Sequence, residues 1–395
     1  MSATLIHIVS GETMQNLLPL LALRPERVIQ ICSNDSHFQQ IAANFEKAAR
    51  NAGSRAEFQT HNLKSQSPLP EEVRHAHKQL LSVFPGAVVN ITGGTKLMSL
   101  GAYLGASEFH DSAILYCDTV NKRFVQVGRN ALPPSLPAFD SVAALLTVPM
   151  VMAAQGKEFR EASFTVPLLA FGRTAWELRL HHHEPISAWT GAIRNSLPRN
   201  KDRITDRPAD LHQFLQTPLT PAGSDAARDY LDAAAQAGLL RVEPDGRAYF
   251  ATEPRRSSVE RVSNLLDGAW LELAVADMAR RGNRFVDLHW SVEPQQHGED
   301  YGETDLIAVD REKLNLAVIS CKTSTERVST LEHLSSWRDR ARTLGGSHAT
   351  GHLCLFRAKS SDQAKTLHAM GKKMNVHVHI ADEIPAYFMS CSGAL

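Results

Sequence analysis

Three side chains in the last third of the chain are of types that perform metal-assisted chemistry: Glu272 in "GAWLELAV", Asp305 in "GETDLIAV" and Lys322 in "LAVISCKT". The last two segments read as strands joined by a turn at Asp310 to Lys313. Asp305 begins one strand and Lys322 ends the next, so a hairpin brings carboxylate and ammonium together at one end of a sheet. Carboxylate oxygens suit magnesium or manganese, which can activate water and steady a phosphate in phosphodiester cleavage. A nearby lysine can orient that water or neutralise developing charge. Glu272, on the preceding helix, supplies another carboxylate.

A second stretch, "VVNITGGTKLM" (Val88 to Met98), runs from apolar residues through Gly93 and Gly94 into Thr95, Lys96 and a helical pattern. It is not a P-loop. That motif needs Gly-x-x-x-x-Gly-Lys-Ser/Thr, whereas here Lys96 follows Thr95 and no glycine occurs from Val89 to Thr92.

The elements that must position these groups follow from periodicity. Leu5 to Val9, Val28 to Cys32, Ala87 to Ile91, Ala113 to Cys117 and Phe124 to Val127 read as strands. Between them, Phe38, Ile41, Ala42, Phe45, Ala48 and Ala49 recur at helical spacing up to Gly53, and Val73, Leu80, Leu81 and Phe84 do so up to Pro85. Strand-helix alternation predicts a parallel sheet covered on both faces, a Rossmann-like α/β domain. The proline-rich "ALPPSLPAF" (Ala131 to Phe139) marks its end. In the middle, Ser224 to Leu240 reads as a helix and "LLRVEPDGRAYFA" as two short strands around an Asp-Gly turn, a winged-helix-like pattern. From Ser258 the predicted order is helix, three strands, helix, strand, helix, strand: a second α/β domain.

The second domain resembles the PD-(D/E)XK restriction-endonuclease-like core, in which an acid opens one strand and (D/E)-x-Lys lies on the next. The chain departs from that pattern at Ser320, so its motif reads Ser320-Cys321-Lys322. Glu303, two residues before Asp305 and on the same strand face, is the nearest replacement for the missing acid. "VSGETMQN" and "NITGGTKLMSLGAY" resemble the CARF domains of CRISPR-associated proteins. Together the motifs resemble the CARF-nuclease ancillary effectors of type III CRISPR systems, over roughly Leu5 to Val127 and Ser258 to Ile380.

That resemblance implies a CARF sensing domain over 1–135, a middle region over 136–256 and a nuclease domain over 257–395. It implies an antiviral homodimer that binds a cyclic oligoadenylate, cyclic tetra-adenylate above all, and is thereby activated to cut DNA or RNA. The catalytic set is then Glu272, Glu303, Asp305 and Lys322, with Asp305, Glu303 and Glu272 as ligands of magnesium or manganese. Ser10, Gly11, Glu12 and Thr13 after the first strand, with Gly93, Gly94, Thr95 and Lys96, form the ligand site. Glycines there permit close backbone approach, Thr95 can cap the following helix, and free amides with Lys96 attract phosphate. The rival expectation is a ligand-sensing regulator whose nuclease fold is degenerate because Ser320 replaces the acid. A Rossmann cofactor enzyme is disfavoured, since "VSGETMQ" lacks Gly-x-Gly-x-x-Gly.

Composition narrows the field further. Acidic and basic residues balance at 42 each, so no overall positive field points to nucleic acid and any such contact must be local. The cysteines at 32, 117, 321, 354 and 391 are widely spaced and odd in number, which argues against a disulfide framework or zinc ribbon and for a reducing cytoplasm. Cys321 alternates with Ser320 and Lys322 and should point into the core. No segment reads as a signal peptide or membrane span. His181 to His183 are expected in a surface loop, and the arginines and lysine of "RNSLPRNKDRITDRP" in a solvated or phosphate-tracking one.

Overall fold

The computed structural model describes residues 4–130, 132, 136–196, 221–244, 248–251, 261–296, 299–325 and 331–390. Its N-terminal sheet is built around β1 (Thr4–Ile8), which is buried along its whole length. β1 lies between β2 (Arg27–Cys32) and β4 (Val88–Asn90) and runs parallel to both. With β3 (Glu57–Asn62), β5 (Ala113–Asp118) and an antiparallel edge strand β6 (Arg123–Val127), the order is β3-β2-β1-β4-β5-β6.

Alternation along β1 sorts its side chains into two layers, as a strand's period of two requires. Leu5 packs with α1 (Met14–Leu23), α2 (Ser36–Asn51) and the helices α5 (Phe139–Ala143) and α6 (Val148–Ala154). Ile6 and Ile8 pack with α3 (Pro70–Val83) and α4 (Lys96–Ala106).

The C-terminal sheet has the order β11-β10-β12-β13-β14-β15, with β7 (Glu158–Ala162) also pairing with β10 (Phe285–Gln296). β12 (Thr304–Asp310) and β13 (Asn315–Lys322) form the expected antiparallel hairpin, in register from Leu306↔Ile319 to Asp310↔Asn315. β14 (Thr350–Leu355) and β15 (Val376–Ile380) then add in parallel, and β11 (Glu299–Asp300) is a short edge. The Trp270–Arg281 helix covers one face, and the Leu331–Gly345 helix the other. One apolar cluster is continuous from Leu5 and Leu17 through Val148 and Val151 of α6 to Ile307, Val309, Leu316 and Val318, so α6 wedges the two sheets together.

Several expectations need correction. β3 was not anticipated, because this edge strand, "EFQTHN", is largely exposed and polar and has no apolar face to read. β10 runs far beyond the expected Leu288, bulging where Asp287 and Ser291 adopt positive φ. His181 to His183 lie not in a loop but within α7 (Val166–Ser196), at a kink centred on His182. The middle segment supplies the expected helix α8 (Pro221–Gln236) and the strand pair β8 (Leu240–Val242) and β9 (Ala248–Phe250). Its Asp245-Gly246 turn lies outside the described residues, as do Arg199, Lys201, Arg203 and Arg207. Trp189 of α7 and Tyr230 and Leu231 of α8 share one core with Trp270, Leu273 and Ile319, so the boundary near 256 divides the chain without dividing the core. Arg179 is buried there, donating to Leu266 O at 2.9 Å beneath the Tyr230 and Trp270 rings.

The β12–β13 turn is pinned by Asp310. Its fully buried carboxylate accepts Arg284 Nη2 at 2.8 Å and the amides of Glu312 and Lys313 at 2.8 and 3.2 Å. Asp310→Ala leaves the Arg284 guanidinium buried without that carboxylate, so stability should fall by about 3–5 kcal/mol. Chemical denaturation checks this, with Asp310→Asn, which keeps an oxygen acceptor for the turn amides, falling less.

Candidate active and ligand sites

β2 and β4 flank β1 on opposite sides and all three run parallel, so the connections after β1 and β4 emerge at one carboxyl edge where the strand order switches direction. Such a point opens a crevice in a doubly wound sheet. The Gly-Gly turn is pressed against the end of β1. A Cβ on Gly93 would stand 2.4 Å from Ile8 O, and Gly94 has φ +79° with its Cβ position 2.6 Å from Ile8 Cγ2. Only glycine fits both places. Asn16 Nδ2 donates to Ile8 O, and Asn90 Nδ2 donates to Asn16 Oδ1, each at 2.9 Å, which locks the two loops together. Thr92 completes the clamp by donating to Asn90 Oδ1 at 2.6 Å while accepting from Cys117 N.

Thr95 caps α4 as expected, its Oγ1 accepting from Met98 N at 3.3 Å. Lys96 begins the helix and is exposed; its amide and that of Leu97 precede the first intrahelical hydrogen bond, Ser99 N to Thr95 O. In the partner loop, Ser10 Oγ accepts from Glu12 N at 3.2 Å, and nothing crowds Gly11. Thr13 is buried and accepts from Gln155 Nε2 at 3.2 Å. The Glu12 carboxylate reaches across to the turn after the Leu331–Gly345 helix, where it accepts from Ser347 Oγ and meets His348 Nε2 at 2.9 Å. The structure therefore brings all eight expected ligand-site residues to one edge, with Glu12 engaged elsewhere.

At the hairpin, Asp305 Oδ2 accepts three donors: the Lys322 ammonium at 3.0 Å, the Cys321 amide at 2.6 Å and the Ser320 hydroxyl at 3.2 Å. Ser320 thus serves the acid that opens the neighbouring strand. Burial works against the Lys322 charge, but the Asp305 carboxylate outweighs it and holds the ammonium above its ordinary pKa. Glu272, half-buried, accepts from Trp290 Nε1 at 2.7 Å. Burial, reinforced by the charge of Asp305 and opposed by the Trp290 bond and Lys322, raises its pKa to about 8. Glu303 accepts from Ser291 Oγ. Cys321 is buried, as its alternation required.

Sequence reasoning missed Trp290 and Ser291, which tether two of the expected acids. Their only sequence signal was a tryptophan and a serine in a long polar-apolar strand. Glu272, Glu303 and Asp305 each keep a separate partner. Among the described residues, no three His, Cys, Asp or Glu side chains converge closely enough to hold a metal. The donor types nevertheless suit a hard divalent cation, and four of the five contacts described for these acids are hydrogen bonds from neutral groups.

The fold is that of a Rossmann-like sheet wedged by short helices against a second, mixed sheet that carries a carboxylate-lysine site. Residues 4–132 match the Card1 CARF domain family. Over the whole chain the structure is similar to Can2 from Sulfobacillus thermosulfidooxidans, solved in complex with cyclic tetra-adenylate, at TM-score 0.63 and 16% identity, covering 97% of this chain and 94% of that one. It is also similar to protein VC1899 from Vibrio cholerae, at TM-score 0.68 and 17% identity, covering 97% and 95%. At such identities the likeness is one of fold. No curated protein matches the chain in sequence. Among the described residues, no helix is long and apolar enough to cross a membrane.

The raised pKa of Glu272 has a thermodynamic sign. Above the usual carboxylate range the unfolded chain has released this proton, while the folded protein keeps it up to about pH 8, so stability declines as pH rises between those limits. Glu272→Gln retains an acceptor for Trp290 and has no proton to lose. In metal-free buffer the variant should exceed the wild type in stability by about 1–3 kcal/mol at pH 8 and by little at pH 5. Denaturation curves at the two pH values test it.

Proposed function

We propose that the chain is a CRISPR-associated effector of the CARF-nuclease kind: a homodimer that binds cyclic tetra-adenylate at the β1/β4 crevice and is thereby activated for metal-dependent cleavage of DNA or RNA. The observation that carries the reading is the convergence on Asp305 of Lys322 from the next strand, beside the half-buried Glu272, in a chain whose first third matches a CARF domain. The cyclic tetra-adenylate in Can2 supports that choice of ligand.

Each group has a task in this chemistry. The turn at Gly93 and Gly94, the amides heading α4 and Lys96 offer a place for phosphate. Exposed Leu97, Leu100 and Leu104 follow one another at helical spacing on the same α4, an apolar stripe that suits a two-fold contact, and a symmetric ligand can meet two copies of the loop. At the second site Asp305 and Glu272, with Glu303, would hold magnesium or manganese. When bound, the cation supplies Lewis acidity toward the phosphate and a more acidic water. Lys322 fixes the Asp305 carboxylate and places positive charge where negative charge grows. Glu272 can retain a proton near neutrality and release it when positive charge arrives. The regulator reading draws on one feature, the Ser320 hydroxyl in the place of an acid.

Cleavage assays with magnesium or manganese, DNA and RNA substrates, with and without cyclic tetra-adenylate, decide between them. Asp305→Ala and Lys322→Ala should each lose roughly a hundredfold or more in rate, and Glu303→Ala should weaken cleavage strongly. Ser320→Ala should keep most activity, since a neutral hydroxyl is a poor ligand for a hard cation. Wild-type rates in both Asp305→Ala and Lys322→Ala would remove the hairpin from the chemistry.

Calorimetric titration addresses the sensor separately. It should give one cyclic tetra-adenylate per two chains, with Lys96→Ala weakening affinity by about tenfold and leaving thermal stability unchanged. Equal affinity in wild type and variant would take this loop out of the ligand site.

A further inference from the structure

A cleft of about 570 Å³ reaches the candidate active site, within the usual size range of ligand clefts, about 300–1,000 Å³. Glu272, Trp290 and Glu303 line it. Two arginines from distant parts of the chain, Arg160 and Arg261, line it as well. Arg160 lies on β7, whose residues come from the connector between the two sheets. β7 pairs with β10 so that Ala162 stands opposite Trp290 and Arg160 opposite Glu293. Residues two apart on a strand share a face, so Arg160 and Ala162 lie on one face of β7. Ala162 is the register partner of the tryptophan whose indole holds Glu272. Arg261 enters just ahead of the π-helical turn Leu265–Ala269 that leads into the helix bearing Glu272.

The charges in this cleft are unevenly committed. Glu161 is held by His289 Nδ1 at 2.6 Å, Glu303 by Ser291 and Glu272 by Trp290. Arg160 and Arg261 are both exposed and make no ion pair among the described residues, and Arg160 makes none even with its register partner Glu293. Of the four carboxylates that line the cleft among the described residues, all but the exposed Glu293 are tethered by neighbours, while both guanidiniums remain open to a ligand with repeated anionic groups, because a guanidinium offers a planar fork of donors to phosphate oxygens.

We propose that Arg160 and Arg261 are substrate-positioning residues that bind backbone phosphates of a nucleic-acid strand and lay it across the Glu272–Asp305 site. The proposal rests on the nuclease reading above and adds that β7, supplied by the connector, completes the cleft. β7 is also tied to the N-terminal sheet's layer, since Lys47 of α2 pairs with Glu158 at its start, so the position of Arg160 is set from both sides.

The test uses the full-length chain with a fluorescein-labelled oligonucleotide of mixed sequence, as single and double strands of DNA and RNA, in calcium for binding and in magnesium or manganese for cleavage. Arg160→Ala and Arg261→Ala should each weaken binding by about tenfold and lower the slope of log affinity against log salt by about one, the signature of a lost phosphate contact. KM should rise in proportion while kcat stays within about threefold, the pattern of lost uniform binding. Arg160→Lys should restore part of the affinity, as a point charge without the fork. Wild-type affinity and salt slope in both alanine variants overturn the proposal even if cleavage proceeds. Binding that weakens in the variants, in a wild type that never cleaves, supports the phosphate contacts and fails the nuclease reading instead. A wild type that binds no oligonucleotide overturns both.

Discussion

The β12–β13 hairpin is the constraint on which the rest of the C-terminal architecture depends. Its register is fixed at the turn by Asp310, which holds Arg284 and two loop amides, and at the open end by Asp305, which holds Lys322 and the Cys321 amide. A slip of one residue would turn every side chain to the opposite face. Here both faces are buried in different cores. Leu306, Ala308, Ala317 and Ile319 pack toward α7, α8 and the Trp270–Arg281 helix. Ile307, Val309, Leu316 and Val318 pack toward α6 and the Leu331–Gly345 helix. The charged ends therefore sit where the packing of both layers puts them.

The same hairpin connects physically to the ligand-type crevice. Glu12 leaves the β1 loop to meet Ser347 and His348, in the turn that follows the Leu331–Gly345 helix, and Gln155 bridges from Thr13 toward Gly346. That helix is fastened to the sheet by Trp337, whose indole N–H lies 3.1 Å from both Val318 O and His352 O. Gly345 sits so close to Leu316 that a Cβ would stand 2.8 Å from its Cβ. A contiguous run of packed groups thus joins the β1 loop to the strand bearing Ser320 and Lys322. Contiguity makes coupling physically available, while the differential affinity of a ligand for two arrangements is what would use it.

Much of this was legible in the sequence where periodicity is strong. The buried β1, β2, β4 and β5 announced themselves as β-branched runs, and α2 and α3 as amphipathic repeats ending at Gly53 and Pro85. The hairpin and its polar ends were legible for the same reason. β3 was not, because an exposed edge strand needs no apolar face. The kink at His182 was hidden because a helix interrupted by one residue and containing Pro185 reads as a loop.

By itself the sequence determined the two α/β sheets, the placement of Gly93 and Gly94 at a tight turn and the meeting of Asp305 with Lys322, since each follows from local pattern and strand pairing. Only the tertiary structure decided that the middle segment shares a core with the C-terminal sheet, that β7 from the connector joins that sheet beside β10, and that Trp290 and Ser291 take the acids. It likewise decided that Glu12 turns away from its own loop. The physical reason is range. Backbone propensity and side-chain alternation act over a few neighbouring residues and leave a periodic trace, whereas the Trp290–Glu272 bond or the pairing of residue 12 with residue 348 arises from packing between segments that share no local pattern.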